Sequence, residues 1–121
     1  MNEKKVPQLF IAAGGTIFGD HKTYPWSMGF QPSYQSETRI YGKYLRDNYP
    51  KEKIAVLSSN DDFGRDNIKG LKDGLGDAVG NIVAEATYET SAPTIDSELV
   101  KLKFSGAKVF VNFASDRKSV V

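Results

Sequence analysis

The sequence predicts an α/β fold, a parallel sheet with helices on both faces. Three observations carry that prediction. Apolar runs bounded by glycine or proline alternate with amphipathic stretches, in the order strand, long crossing, then helix–strand three times over. Alternation at this spacing means right-handed crossovers between parallel strands. The run Lys53-Ile54-Ala55-Val56-Leu57-Ser58 is apolar on both faces, as the centre of a sheet covered on both sides requires. The 121 residues suffice for one core but not two, and a chain of this size buries roughly two thirds of its unfolded surface.

Gln8-Leu9-Phe10-Ile11-Ala12-Ala13, between Pro7 and Gly14-Gly15, reads as a short buried strand. Thr16 to Pro32 has no clear periodicity and holds Gly19, Pro25, Gly29 and Pro32, so it reads as a loop-like crossing segment. Phe18, Tyr24, Trp26, Met28 and Phe30 make it too aromatic for a solvated linker, and it is expected to pack on something. Ser33 or Ser36 can cap a helix running to about Asn48, with Ile40, Tyr41, Tyr44 and Leu45 on one face. Pro50 stops it. After the central strand, Asp61 or Asp62 can start a second helix with Ile68, Leu71 and Leu75 in register, and Gly76 fits its end. Asn81 to Tyr88 is a third strand. Thr94 is a good N-cap for a helix from Ile95 to Ser105, with Asp96 and Glu98 in the first turn, where the helix dipole favours acids. Lys108 to Phe113 is the fourth strand.

Composition removes several function classes. Hydrophobic residues at 40% and charged residues at 26% are ordinary for a globular chain. The formal net charge of +1, without a block of like charge, argues against a nucleic-acid partner. No apolar run approaches the ~20 residues of a membrane span. The absence of cysteine excludes disulfides, thiolate catalysis and thiolate metal sites. The start, Met1 to Lys5, leads into a run shorter than the ~7–15 residues of a secretory signal, so the chain as written would stay in the cytoplasm.

Open α/β sheets bind ligands beyond the carboxyl ends of their strands, which singles out three exit loops. In Ala12-Ala13-Gly14-Gly15-Thr16 the glycines let backbone N–H groups approach a carboxylate and Thr16 adds a hydroxyl; a tight turn needing glycine angles is the structural reading of the same residues. The loop lacks a phosphate-binding lysine and the full glycine spacing of a dinucleotide site. In Ser58-Ser59-Asn60-Asp61-Asp62-Phe63-Gly64, small polar groups and helix N–H groups converge and Phe63 supplies an apolar wall; plain helix capping is the alternative. The Asp61–Asp62 pair raises Mg²⁺, but a receiver-type site also needs a distal lysine and a third acid in fixed places, so no metal or cofactor is assigned. The third loop is Ala114-Ser115-Asp116. His21 has no partner at metal or triad spacing. Ser58 and Ser59 have no nearby base, so no catalytic residue is assigned and the chain does not read as an enzyme.

Together these segments carry a family likeness. Pro7 to Thr16, the aromatic Tyr24-Pro25-Trp26 crossing, Lys53 to Leu57 followed by Asp61-Asp62-Phe63-Gly64-Arg65-Asp66, the Thr94-Ile95-Asp96-Ser97 helix, and Gly106-Ala107 before Val109-Phe110-Val111 resemble, in order and spacing, the type I periplasmic solute-binding proteins of branched-chain amino acid ABC transporters. The likeness covers about residues 6–114. It implies one flavodoxin-like part of a two-lobe protein, whose lobes close on a ligand by a hinge. Residues 1–32 would be the last strand of the first lobe and the crossing segment, and residues 33–121 a partial second-lobe α/β domain. The resemblance implies an amino-acid-like ligand gripped by Gly14 and Thr16 and covered by Phe63, bound weakly or not at all by a lone piece that holds only part of the cleft, with an ABC permease as partner and a periplasmic location; Gly15 and Ser58 join the candidate site from their places in the exit loops. Phe63 stands where a tyrosine is common in the family, so the polar contact of that hydroxyl is missing.

Family members are much longer, and the charged ending Asp116 to Val121 reads as a truncation or an altered reading frame. A lone piece of this layout would expose sheet edges and apolar surface, so it is expected to self-associate, exchanging the Gln8–Ala13 strand or the crossing segment between chains. Two other readings stay open: a self-associating interaction module or inert remnant without ligand binding, and a small flavodoxin-like or receiver-like signalling domain using Asp61 and Asp62.

Overall fold

The computed structural model describes residues 1–115; Asp116, which closes the third exit loop, and the charged ending that follows lie outside the described residues. The chain forms β1 (Gln8–Ile11), β2 (Ser27–Gly29), α1 (Tyr34–Asn48), β3 (Ile54–Ser59), α2 (Asp62–Leu75), β4 (Ile82–Tyr88), α3 (Asp96–Lys103) and β5 (Val109–Phe113). Short 3-10 segments occupy Asn2–Lys4, Thr16–Gly19 and Gly76–Asn81. All strand pairings are parallel, in two sheets: β1 with β2, and β4-β3-β5 with β3 in the centre.

Every residue of β3 is buried. Ile54 and Val56 pack with Leu45, Leu71, Leu75 and Phe113 under α1 and α2, while Ala55 and Leu57 pack with Ala86, Tyr88, Ile95 and Leu102 under α3. The strand expected at the centre of a doubly covered sheet therefore occupies that place, and the parallel α/β architecture stands as read.

The contact between α1 and α2 differs from expectation. Ile40, Tyr41 and Tyr44 were to form the buried face of α1, yet all three are exposed, Ile40 by 68%. The buried positions are Thr38, Gly42 and Leu45. They meet Gly70, Leu71, Gly74 and Leu75 of α2 along a seam of small residues. A Cβ on Gly42 would stand 2.4 Å from the Leu71 carbonyl oxygen, and one on Gly74 would stand 2.2 Å from that of Arg39. The seam is a close backbone approach, which carries no apolar periodicity for a sequence reading to find.

The amino-terminal third also departs from expectation. β1 ends at Ile11, two residues early, and is not buried: Leu9 is 56% and Phe10 63% exposed. Of its apolar residues only Ile11 is partly buried. The crossing segment contains β2, a strand that Ser27-Met28-Gly29 gives no pattern to reveal; the Gln8 N–H donates to the Trp26 carbonyl (2.7 Å) and the Phe30 N–H to that of Ile11 (3.0 Å). Between those bonds the register slips and Phe10 takes a left-handed φ of 57°. Of the expected caps, Ser33 and Asp61 serve α1 and α2. Thr94 does not serve α3, which starts at Asp96 with Ile95 at the cap position and no capping side chain, and ends at Lys103 rather than Ser105.

Gly74→Ala is expected to lower unfolding stability by about 1–3 kcal/mol, the cost of overpacking a tight interface. An exposed control such as Gly80→Ala, where a Cβ meets nothing within 4 Å, should change it far less; urea denaturation of the two variants measures the difference.

Candidate functional site

The β1 and β3 exit loops meet at one corner because Tyr34, the first residue of α1, touches both. Its N–H donates to the Gly14 carbonyl at 2.7 Å. Its ring lies edge-on to Phe63, centroids 4.9 Å apart. Gly14 is buried directly beneath that ring: a Cβ there would come within 2.7 Å of Tyr34 Cδ1 and 2.9 Å of the Pro32 carbonyl oxygen. The glycine is required by this close approach and not by the glycine backbone angles expected of a tight turn, since neither Gly14 nor Gly15 has a positive φ.

Phe63 is held by the start of α2. Asp61 Oδ1 accepts from the Gly64 N–H and from the Ser59 hydroxyl, each at 2.8 Å. Asn67, buried, donates to the Phe63 carbonyl at 2.8 Å. A Cβ on Gly64 would fall 1.9 Å from the Ser59 carbonyl oxygen, so only glycine lets the helix leave the strand this tightly. The aspartate, aromatic and glycine of this motif thus have local structural duties.

A polar node ties the β1 exit loop to α2. Asp66 accepts from the Thr16 N–H (3.0 Å), from the Thr16 hydroxyl (3.0 Å to each carboxylate oxygen) and from Gln35 Nε2 (2.8 Å). Burial is the largest single influence on the Asp66 carboxyl and pushes its pKa up, but the donors Thr16 and Gln35, with Lys69 nearby, outweigh it and hold the pKa below the ordinary aspartate value. Asp66 and Gln35 stood out as site residues in no sequence pattern, since they lie 50 and 19 residues from Thr16 along the chain.

The five residues singled out by sequence do not converge on one cavity. Gly15 and Thr16 line a cleft of about 490 Å³ with Ala13, Phe18, Met28 and Ser33. Phe63 lines another of about 490 Å³ with Tyr34, Tyr41, Tyr44, Phe113 and Ala114. Gly14 and Tyr34 stand between the two. Ser58 lines neither; it is fully buried within β3, and its hydroxyl finds no partner among the described residues. A hollow of about 340 Å³ between α3 and β5 opens at the amino ends of the strands, away from these loops.

In chemical terms the corner offers one backbone donor, one polar node and two aromatic rings. The Gly15 N–H makes no hydrogen bond among the described residues and borders the first cleft. Phe63 and Tyr34 wall the second.

Comparison with known proteins gives this corner its context. Residues 1–121 match the profile of a family described as periplasmic binding protein. A periplasmic binding protein from Burkholderia mallei superposes with a TM-score of 0.78 at 18% identity, over 98% of this chain and 32% of its own. The solute-binding protein of an ABC transporter from R. palustris, in complex with benzoate, gives 0.81 at 17% identity, over 94% and 31%. A periplasmic ligand-binding protein of a branched-chain amino acid ABC transporter from Burkholderia xenovorans gives 0.71 at 17% identity, over 98% and 31%. The chain spans about a third of the length of these structures. No curated protein matches the sequence.

Stability should fall as the pH drops below about 4, the ordinary aspartate range. A carboxyl whose pKa is depressed on folding stabilises the fold above its unfolded value and loses that contribution as it is protonated. The part of this slope owed to Asp66 is the difference between the parent chain and Asp66→Asn in thermal unfolding from pH 7 to pH 3, with Asp66→Asn showing the shallower decline.

Proposed function

Because the chain belongs to the periplasmic binding protein family, we propose that it forms part of the solute-binding component of an ABC transporter, with no catalytic role of its own. Residues 1–32 supply the end of a first lobe and the crossing segment, and residues 33–121 part of the second. The ligand is a small amino-acid-like or other carboxylate-bearing solute, the partner is a membrane permease, and the setting is the periplasm. Family membership displaces the signalling-domain reading of Asp61 and Asp62.

The observation that carries this reading is the double contact of Tyr34, which brings the exits of β1 and β3 to one corner. Ligand sites of open α/β sheets belong at such carboxyl ends. In the proposed site the Gly15–Thr16 end of the first exit loop meets the polar head of the ligand, Phe63, in the neighbouring cleft beyond Tyr34, meets its apolar part, and Gly14 lies buried between them. Ser58 lies beneath as buried support. The benzoate complex of the R. palustris protein and the branched-chain amino acid transporter of the B. xenovorans protein favour a carboxylate joined to an apolar body.

Titration calorimetry of the chain with leucine, valine and benzoate tests this. Saturable binding to at least one is expected, weakened about tenfold (1.4 kcal/mol) by Phe63→Ala. Heats indistinguishable from dilution for all three would count against the proposal.

A second reading, self-association, is favoured by the outward face of β1 and β2. Leu9, Phe10, Met28 and Phe30 are all exposed there, Phe30 by 69%. Apolar side chains clustered beside unpaired strand edges are a template for pairing with another chain. Light scattering coupled to size-exclusion chromatography should give more than the 13.4 kDa monomer at micromolar concentration; Leu9→Lys combined with Phe30→Lys should restore the monomer. A folded monomer of the parent chain would remove this reading.

A further inference from the structure

We infer that the free edge of β5 is the acceptor for β1 of a second copy, so that the chain associates head to tail and not about a two-fold axis. This names the partner surface for the self-association read from β1 and β2, and it rests on that reading.

The two edges of the three-stranded sheet differ. β4 and β5 lie outermost, each bonded to β3 alone among the described residues. Natural edge strands are commonly blunted by charge, and β4 is. Glu85 stands in the middle of it; its carboxylate pairs with Lys72 at 2.8 Å, and its backbone carbonyl already accepts from Lys101 Nζ at 3.1 Å. β5, Val109–Phe113, has no charged residue and no proline. Phe110, its second residue, is 50% exposed. An apolar hollow adjoins the strand on the α3 side, lined by Leu99, Leu102 and Phe110. Another adjoins it on the α1 side, lined by Tyr41, Tyr44 and Phe113. A strand added at this edge continues the ladder and lays side chains over both faces of the sheet.

The occupant follows from what it can bring. A second β5 would offer Val109, Val111 and Phe113, which already pack in its own core, and the hollows would stay empty. β1 pairs with β2 alone among the described residues. It carries no charge, and it offers Leu9 and Phe10, which are largely exposed.

Charge sets the direction. Lys4 and Lys5, both exposed, precede β1. Lys103 and Lys108 line the hollow at the amino end of β5. Glu37 lines the other hollow, in the first turn of α1 beside the exit corner. A β1 strand antiparallel to β5 brings Lys5 toward Glu37, whereas a parallel one sets lysine against lysine. Leu9, Phe10, Met28 and Phe30 on the donor, with Tyr41, Tyr44 and Phe110 on the acceptor, expose roughly 700 Å² of side chain between them. With the two backbone edges and the charged rim this approaches the ~1,200 Å² at which specific interfaces begin. Each copy keeps one unused donor and one unused acceptor, so the assembly grows until it closes on itself.

Two variants and their mixture test this by light scattering coupled to size-exclusion chromatography at micromolar concentration. Phe110→Lys removes the acceptor and keeps β1; Leu9→Lys combined with Phe30→Lys removes the donor and keeps β5. Each alone should elute as the 13.4 kDa monomer. Their equimolar mixture should give a dimer and nothing larger, because a single complementary pair of surfaces is left. Val83→Lys, on the charged β4 edge, should leave the parent assembly intact; its dispersal there would overturn the choice of edge. Circular dichroism checks the fold of each variant, and Phe110→Thr replaces Phe110→Lys if the lysine unfolds the chain. An oligomer that persists without Phe110, or folded variants that stay monomeric when mixed, would overturn β5 as the acceptor while β1 and β2 keep their role in association. A folded monomer of the parent chain would remove the association itself.

Discussion

The fold depends on one constraint: β3 must be covered on both faces and bonded along both edges. Six consecutive residues of this strand are buried, and β4 and β5 occupy its two edges. Such a strand is stable only when helices cover both sides, since apolar surface left in water forfeits roughly 25 cal/mol per Å². The covering helices then dictate local sequence. On one side two helices must share the space above Ile54 and Val56, and the glycine seam lets them. On the other, α3 alone covers Ala55 and Leu57 through Ile95 and Leu102. The loops that leave the carboxyl ends of these strands inherit their positions from this packing.

The amino-terminal sheet is attached to that body by polar and aromatic links. The Thr16–Asp66–Gln35 node and the Tyr34 contacts join segments far apart in the chain, and they do so at the corner where ligand chemistry is proposed. Bonds to a charged acceptor are stronger than neutral ones and demand direction as well as proximity. A loop held in this way is preorganised, which reduces the ordering cost that binding would otherwise carry.

Much of the body was legible in the sequence because burial leaves a pattern there. The apolar run of β3, the Ser33 and Asp61 caps and the Leu71–Leu75 spacing each state a local physical requirement, and each element stands where it was read. What stayed hidden was contact made without apolar side chains. The face of α1 was misread because Thr38 and Gly42 make its interface, while the more hydrophobic Ile40, Tyr41 and Tyr44 remain in water. β2 was missed because Ser27-Met28-Gly29 pairs through backbone alone. At the corner, Gly14, Thr16 and Phe63 could be named from their places in exit loops; Asp66 and Gln35 could not, since nothing local in a helix marks a carboxylate or amide that will meet a loop from another sheet.

Phe10 carries a consequence of its own. An L-residue in left-handed backbone costs roughly 1–2 kcal/mol, and its ring, packed edge-on against Phe30 with centroids 6.1 Å apart, is too open to water for burial to offset much of that. The pairing of β1 with β2 therefore holds at this position against a local backbone penalty that an extended residue would not carry.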